Sequence, residues 1–221
     1  MRRALAWTMP FVVCALAGAR AASAPAEEFA QALQHKYDAV HDFSADFVDS
    51  YRGGVLHKQI TERGHVLVKK PGKMRWDYTE PEKKLFLSDG VRLYSYVPED
   101  KQVVVGAVPQ DDRAGAAILF LAGKGNLVRD FTPTIVPPPA GSPPDSRALK
   151  LVPKAAQADY DSLTLVVDSR TLALRGLVTT DAQGGESTIS FENMKENVSP
   201  ADKQFAFSIP RGVDVITDSS R

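Results

Sequence analysis

The chain has a single cysteine, Cys14, and it lies inside an apolar N-terminal run. A signal-type cleavage removes it. The mature protein then has no disulfide, no thiolate metal site and no cysteine nucleophile. Charge of one sign is also missing: 27 basic and 27 acidic side chains cancel. A neutral chain lacks the electrostatic footprint of a nucleic-acid binder, so no nucleic-acid partner is expected. Four histidines are present, His35, His41, His57 and His65, and none is spaced with a second ligand on a matched face. No metal and no cofactor is therefore expected. Neither a G-x-S-x-G elbow nor an S-x-x-K set occurs. Ala122-Gly123-Lys124-Gly125 fails as a phosphate loop, because Ile118 and Gly125 stand where that motif needs glycine and a hydroxyl residue. Asp46 with Asp49, or Glu80 with Glu82, are acid pairs that solvated turns also produce. The inventory points away from an enzyme.

Beyond the N-terminus, no apolar run approaches the length of a bilayer span. At the N-terminus, Arg2 and Arg3 precede an uncharged apolar stretch at 4–18, followed by small residues at 19–24. This is the three-part pattern of a secretory signal peptide, shorter than the roughly 20 residues that cross a membrane. Cleavage falls after Ala21 or after Ala24, the second disfavoured by Pro25. Loss of Arg2, Arg3 and Arg20 leaves residues 25–221 acidic by three charges. Phe11-Val12-Val13 before Cys14 lacks the small residue of a lipidation site. A soluble periplasmic domain is the expectation.

What the mature chain does have is alternation. Phe29, Leu33, Tyr37 and Val40 form one stripe of a helix at 26–40, with Glu27 and Glu28 in its first turn. From Phe43 the period becomes two. Phe43, Ala45 and Phe47 face one way, and Met74, Trp76 and Tyr78 alternate with Lys73, Arg75 and Asp77. Ser88-Asp89-Gly90 and Pro98-Glu99-Asp100-Lys101 mark turns, and strands follow at 91–97 and 102–106. After the Pro-rich stretch 137–144, strands are expected at 148–152, 162–167, 172–180, 187–191 and 205–209, with turns at 168–170 and 181–185. About ten or eleven strands at hairpin spacing mean antiparallel β. Residues 114–122 form a short helix that is apolar nearly all round, which requires a cover. A curved sheet lidded by helices and a solid core both satisfy that requirement.

Residues 64–90 carry Lys69-Lys70-Pro71, Met74, Trp76, Glu80-Pro81 and Ser88-Asp89-Gly90 in order. The opening helix runs into Phe43-Ser44-Ala45-Asp46-Phe47. Tyr94 to Pro98 ends a strand, and the chain closes on Phe205-x-Phe207-x-x-Pro210-x-Gly212-Val213. Together these resemble the bacterial outer-membrane lipoprotein carrier (LolA) family. The resemblance implies a mainly β fold with some α, an incomplete antiparallel β-barrel under a lid of short helices, in a single carrier domain at 25–221. It implies a monomeric chaperone that takes acylated lipoproteins from an inner-membrane ABC transporter complex and passes them to an outer-membrane acceptor. A lipid or lipoprotein sensor of the same fold is the alternative. The implied acyl-chain cavity comprises Phe47, Met74, Trp76, Tyr78, Leu87 and Leu93, with lid residues Ile118, Leu119 and Leu121. In the family an arginine often precedes the proline and holds the lid; here it is Lys70, a point charge without a planar fork of donors.

Overall fold

The structure is a computed structural model and describes residues 18–53, 59–108, 120–121, 123, 125–155, 160–181 and 183–217. One helix, α1 (Gly18–Asp38), leads into six strands: β1 (Asp42–Arg52), β2 (Gln59–Lys69), β3 (Lys73–Glu80), β4 (Lys84–Asp89), β5 (Arg92–Val97) and β6 (Gln102–Ala107). A short helix α2 (Leu127–Asp130) precedes β7 (Phe131–Val136), β8 (Ser146–Pro153), β9 (Ser162–Asp168), β10 (Leu174–Thr180) and β11 (Glu186–Glu196). A 3-10 turn at Asp202–Phe205 and β12 (Asp214–Thr217) end the fold.

Among the described residues, twelve strands join one unclosed sheet, in the order β12-β6-β5-β4-β3-β2-β1-β11-β10-β9-β8-β7. Every ladder is antiparallel except β12 on β6. The mainly β, incomplete-barrel expectation holds. The strand count differs in three places. β7 carries Pro133, which an edge strand tolerates because one side of its ladder is empty. β12 is four exposed residues, too short and too wet to show a period. Residues 205–209 alternate like a strand, yet Phe205 closes a 3-10 turn and the following residues join no ladder.

α1 begins earlier than its apolar stripe, so Glu27 and Glu28 lie in its middle rather than its first turn. It also ends at Asp38, short of residue 40; Phe29, Leu33 and Tyr37 of its stripe, with Val40 just beyond its end, are buried against the inner face of the sheet. That face presents Phe43, Phe47, Val66, Val68, Met74 and Trp76 from β1–β3, and Leu149, Leu163, Leu165 and Leu177 from β8–β10. The opposite, outer face carries a smaller cluster of Leu87, Tyr94 and Val103, covered by Phe207 and Val213 from the C-terminal segment. That segment is pinned by charge: Asp202 meets Lys69 at 2.6 Å and Lys73 at 3.1 Å. Arg75 also donates to the carbonyl of Gln204.

The sheet bends where glycine interrupts its ladders. The β2–β3 register shifts between Arg63 and Gly64, and the β9–β10 register shifts between Leu174 and Gly176. A Cβ at Gly64 would lie 2.1 Å from the Asp77 carbonyl oxygen and 2.8 Å from the Phe47 ring. Gly64 is thus the space into which Phe47 packs. Gly64→Ala is expected to cost about 2–3 kcal/mol through overpacking and to lower Tm by roughly 5–10 °C. Gly125→Ala, whose nearest neighbour is at 3.8 Å, is expected to leave Tm within about 2 °C of the parent. Thermal melts of the two variants check both figures.

Candidate functional site

The inner face is built around a row of aromatic rings. Tyr78 meets Phe47 at 4.9 Å between centroids, and Phe47 meets Trp76 at 5.0 Å. Trp76 meets Phe191 at 6.2 Å, and Phe191 meets Phe43 at 6.2 Å. The row crosses β3, β1 and β11. The ladder makes it, since Val66 of β2 stands opposite Trp76 and Phe47 stands opposite Phe191. Edge-to-face geometry dominates, as ring quadrupoles favour. At the Tyr78 end the row reaches the rim: Tyr78 is half-buried, and Lys84 lies 4.3 Å over its ring while also pairing with Glu62 at 2.6 Å.

Tyr37 organises the other end. Its ring stacks on Phe120 at 4.2 Å, and the Lys70 ammonium sits 3.3 Å over its opposite face. Its hydroxyl donates to the Leu121 carbonyl at 2.9 Å. Burial, reinforced by the nearby Glu196 carboxylate, raises the phenol's pKa, so it remains a donor. Lys70 donates to the Tyr37 carbonyl in the last turn of α1, which also accepts from the Val40 N–H at 3.1 Å. Its stem packs on Gly123, where a Cβ would lie 2.6 Å from Cδ. Among the described residues, the Lys70 ammonium's hydrogen bond goes to Tyr37 and none goes to residue 120, 121 or 123. Lys70 clamps Tyr37, and Tyr37 holds Leu121.

Little space remains beside Phe120 beneath this clamp. A cavity of about 20 Å³, room for one water, lies among Leu33, Val40, Phe43, Phe120, Leu165 and Met194. Among the described residues, α1, Phe120 and Leu121 cover the inner face, and the space beside Phe120 is small; the rest of 114–122 lies outside them.

The expected cavity residues divide. Phe47, Met74 and Trp76 are buried together on the inner face, with Tyr78 packed at their edge. Leu93 shares that face through the Met74–Ser88–Leu93 register but is half-buried and outside the core cluster. Leu87 is a correction. It stands opposite Arg75 and packs with Tyr94 and Val103 on the outer face, while its neighbour Phe86 stands opposite Trp76. Of the lid residues, Leu121 is buried in the inner core, and Ile118 and Leu119 lie outside the described residues. Phe120 and Leu121 are helical, as expected for 114–122; the rest of that segment also lies outside them. Sequence reasoning placed Tyr37 on the helix stripe without a role. A hydroxyl on an otherwise apolar stripe needs a buried acceptor, and that was the available signal.

Fold and site together define a class: a helix-covered, unclosed β-barrel with an apolar, aromatic interior. The chain belongs to the LolA family, since residues 38–208 match the model described as outer membrane lipoprotein carrier protein LolA. It is 30% identical over 217 residues to an outer-membrane lipoprotein carrier protein of Bordetella pertussis, covering 98% of each chain. It is 28% identical over 189 residues to the protein of the same name from Chromohalobacter salexigens, covering 86% of this chain and 87% of that one. In fold it resembles an uncharacterized conserved protein from Thermus thermophilus, with a TM-score of 0.53 at 12% identity over 86% of this chain and 99% of that one.

Lys70 gives the clamp a pH dependence. Burial pulls its ammonium from 10.5 down to about 8, while Asp38 and Glu196 oppose the shift. Between those values the unfolded chain holds the proton and the folded chain has released it. Lys70 therefore adds stability as pH rises from about 8 toward 10.5, and its penalty is constant below that window. Against the non-titrating Lys70→Met variant, the wild type should gain stability between pH 8 and 10.5, and the two should run parallel below about pH 7. Urea melts across that range check this; a flat difference contradicts the assignment.

Proposed function

We propose that this protein is a periplasmic lipoprotein carrier. Residues 1–24 act as the leader, removed after Ala21 or Ala24, and residues 25–221 form a single monomeric domain. The domain takes acylated lipoproteins released by an inner-membrane ABC transporter complex and passes them to an outer-membrane acceptor. The observation that carries this reading is the aromatic inner face, with Phe47, Met74 and Trp76 under a cover held at one point by Tyr37 and Lys70. Family membership supports it.

The physical need is large. Each buried methylene contributes roughly 0.8 kcal/mol, so one long acyl chain left in water costs on the order of 10 kcal/mol. An apolar interior removes that cost without covalent chemistry or a nucleotide. To admit a chain, Phe120 and Leu121 move off the inner face. The Tyr37–Leu121 bond is the polar contact that resists this. Cargo then lies along the row from Phe43 to Tyr78, with Leu93 beyond its edge.

The test is release from spheroplasts making labelled lipoprotein, with the transporter of the same organism present. The mature chain should bring label into solution as a one-to-one complex. Trp76→Glu, which buries a carboxylate in the aromatic row, should cut the yield at least about tenfold while the variant remains folded. Soluble protein that releases no label removes the carrier reading and leaves a lipid or lipoprotein sensor of the same fold.

A further inference from the structure

The small cavity beside Phe43 has a mouth, and the mouth is polar in a particular way. Its lining is apolar except for the Tyr37 hydroxyl, already bonded to Leu121, and two charged groups, Lys36 and Glu196. Those two meet at 2.5 Å, and their side chains remain 30% and 25% exposed. They therefore sit where the cavity reaches solvent. Met194 and Leu172, both half-buried, extend the apolar lining to the same rim. Around the pair the charges balance. Lys36 is neutralised by Glu196, and Lys70 lies in the fields of Asp38 and Glu196.

We infer that this mouth, formed by Lys36 and Glu196 between α1 and the end of β11, is an entry subsite selecting acyl chains with an uncharged ester- or amide-linked head over free fatty-acid anions. The inference rests on the acyl-carrier reading and adds a specificity to it. The chemistry is direct. A chain entering beside Phe43 leaves its head group at the ion pair. A neutral ester or amide accepts a hydrogen bond from Lys36 without displacing Glu196. A carboxylate head competes with Glu196 for the same ammonium and brings a second negative charge against it in a half-desolvated rim. Met194 is the flexible wall that yields to the chain.

Two probes with the same tail separate the heads: dansyl-undecanoic acid and its methyl ester, titrated at neutral pH into the mature chain with fluorescence as readout. Any apolar pocket prefers the ester to some degree, so the decisive quantity is how the ester-to-acid affinity ratio changes in two variants. Glu196→Gln removes the repelling charge and should shrink the ratio by about tenfold, the worth of one charge contact in a partly buried site. Lys36→Gln leaves Glu196 unpaired and should enlarge the ratio. A purely structural role for the pair would move both probes together and leave the ratio unchanged. An unchanged ratio in Glu196→Gln, a shift of the same sign in both variants, or binding of neither probe overturns the inference. Failure of the carrier reading is distinct: the ester would bind with the expected charge dependence while no lipoprotein is released from spheroplasts.

Discussion

The molecule depends on keeping an aromatic surface from water without closing it permanently. Five rings, from Tyr78 through Phe47, Trp76 and Phe191 to Phe43, lie along the inner face of a sheet that does not close on itself. Exposed, such a surface would drive association. A closed barrel would bury it for good. Here α1, Phe120, Leu121 and Leu127 supply the missing wall, and their apolar side chains complete the core. Polar contacts position this wall at several points, among them the Lys36–Glu196 pair and the Lys70 bond to the Tyr37 carbonyl. Besides the Tyr37–Leu121 bond, the α2 entrance is tied to α1 by Leu127 donating to Gln34 at 2.8 Å. Burying the wall is worth far more than these bonds, but the bonds set where it sits.

The two faces are managed differently. On the outer face the C-terminal segment packs Phe207 and Val213 over Leu87, Tyr94 and Val103, and Asp202 is fixed by Lys69 and Lys73. This cover is continuous with the sheet, because β12 adds to β6 in the same segment. The helices of the inner cover pair with no strand: α1 and residues 120–121 meet the sheet mainly through side chains, while α2 runs directly into β7 and accepts one backbone bond from Lys154. A backbone ladder must unzip several hydrogen bonds at once to open, whereas a packed helical segment can shift its contacts piecemeal. The asymmetry favours movement on the inner face.

Much of this is readable from the chain, and the rest fails for identifiable reasons. Met74, Trp76 and Tyr78 alternate with charged residues, so their common face follows from period two. The α1 stripe follows from its spacing of three and four. Leu85-Phe86-Leu87 offers three consecutive apolar residues, and alternation cannot say which one faces inward; the ladder to Trp76 decides. Phe205 and Phe207 alternate as a strand would, but alternation reports which way side chains face, not whether a ladder partner exists. β7 hides behind Pro133 because sequence rules penalise proline without knowing that the strand is an edge. Lys36 and Glu196 have no local signature at all. They meet across 160 residues, and only the closing of β11 onto β1 brings them together.

The packed interior also bears on how tightly cargo would be held. On the carrier reading proposed above, a chain that enters displaces Phe120 and Leu121 from the inner face, because the void beside Phe120 is only about 20 Å³. The apolar area that the chain buries is then offset by the area its predecessors expose. If an acyl chain gains on the order of 10 kcal/mol by leaving water, displaced side chains worth roughly 2–3 kcal/mol each return a substantial part of it. Net affinity becomes a difference between two burials rather than the whole of one. A permanently open cavity of the same lining would bind more tightly and release more slowly. On the carrier reading proposed above, self-filling keeps transfer downhill without a nucleotide, and the Tyr37–Lys70 clamp adds to the stability of the filled state.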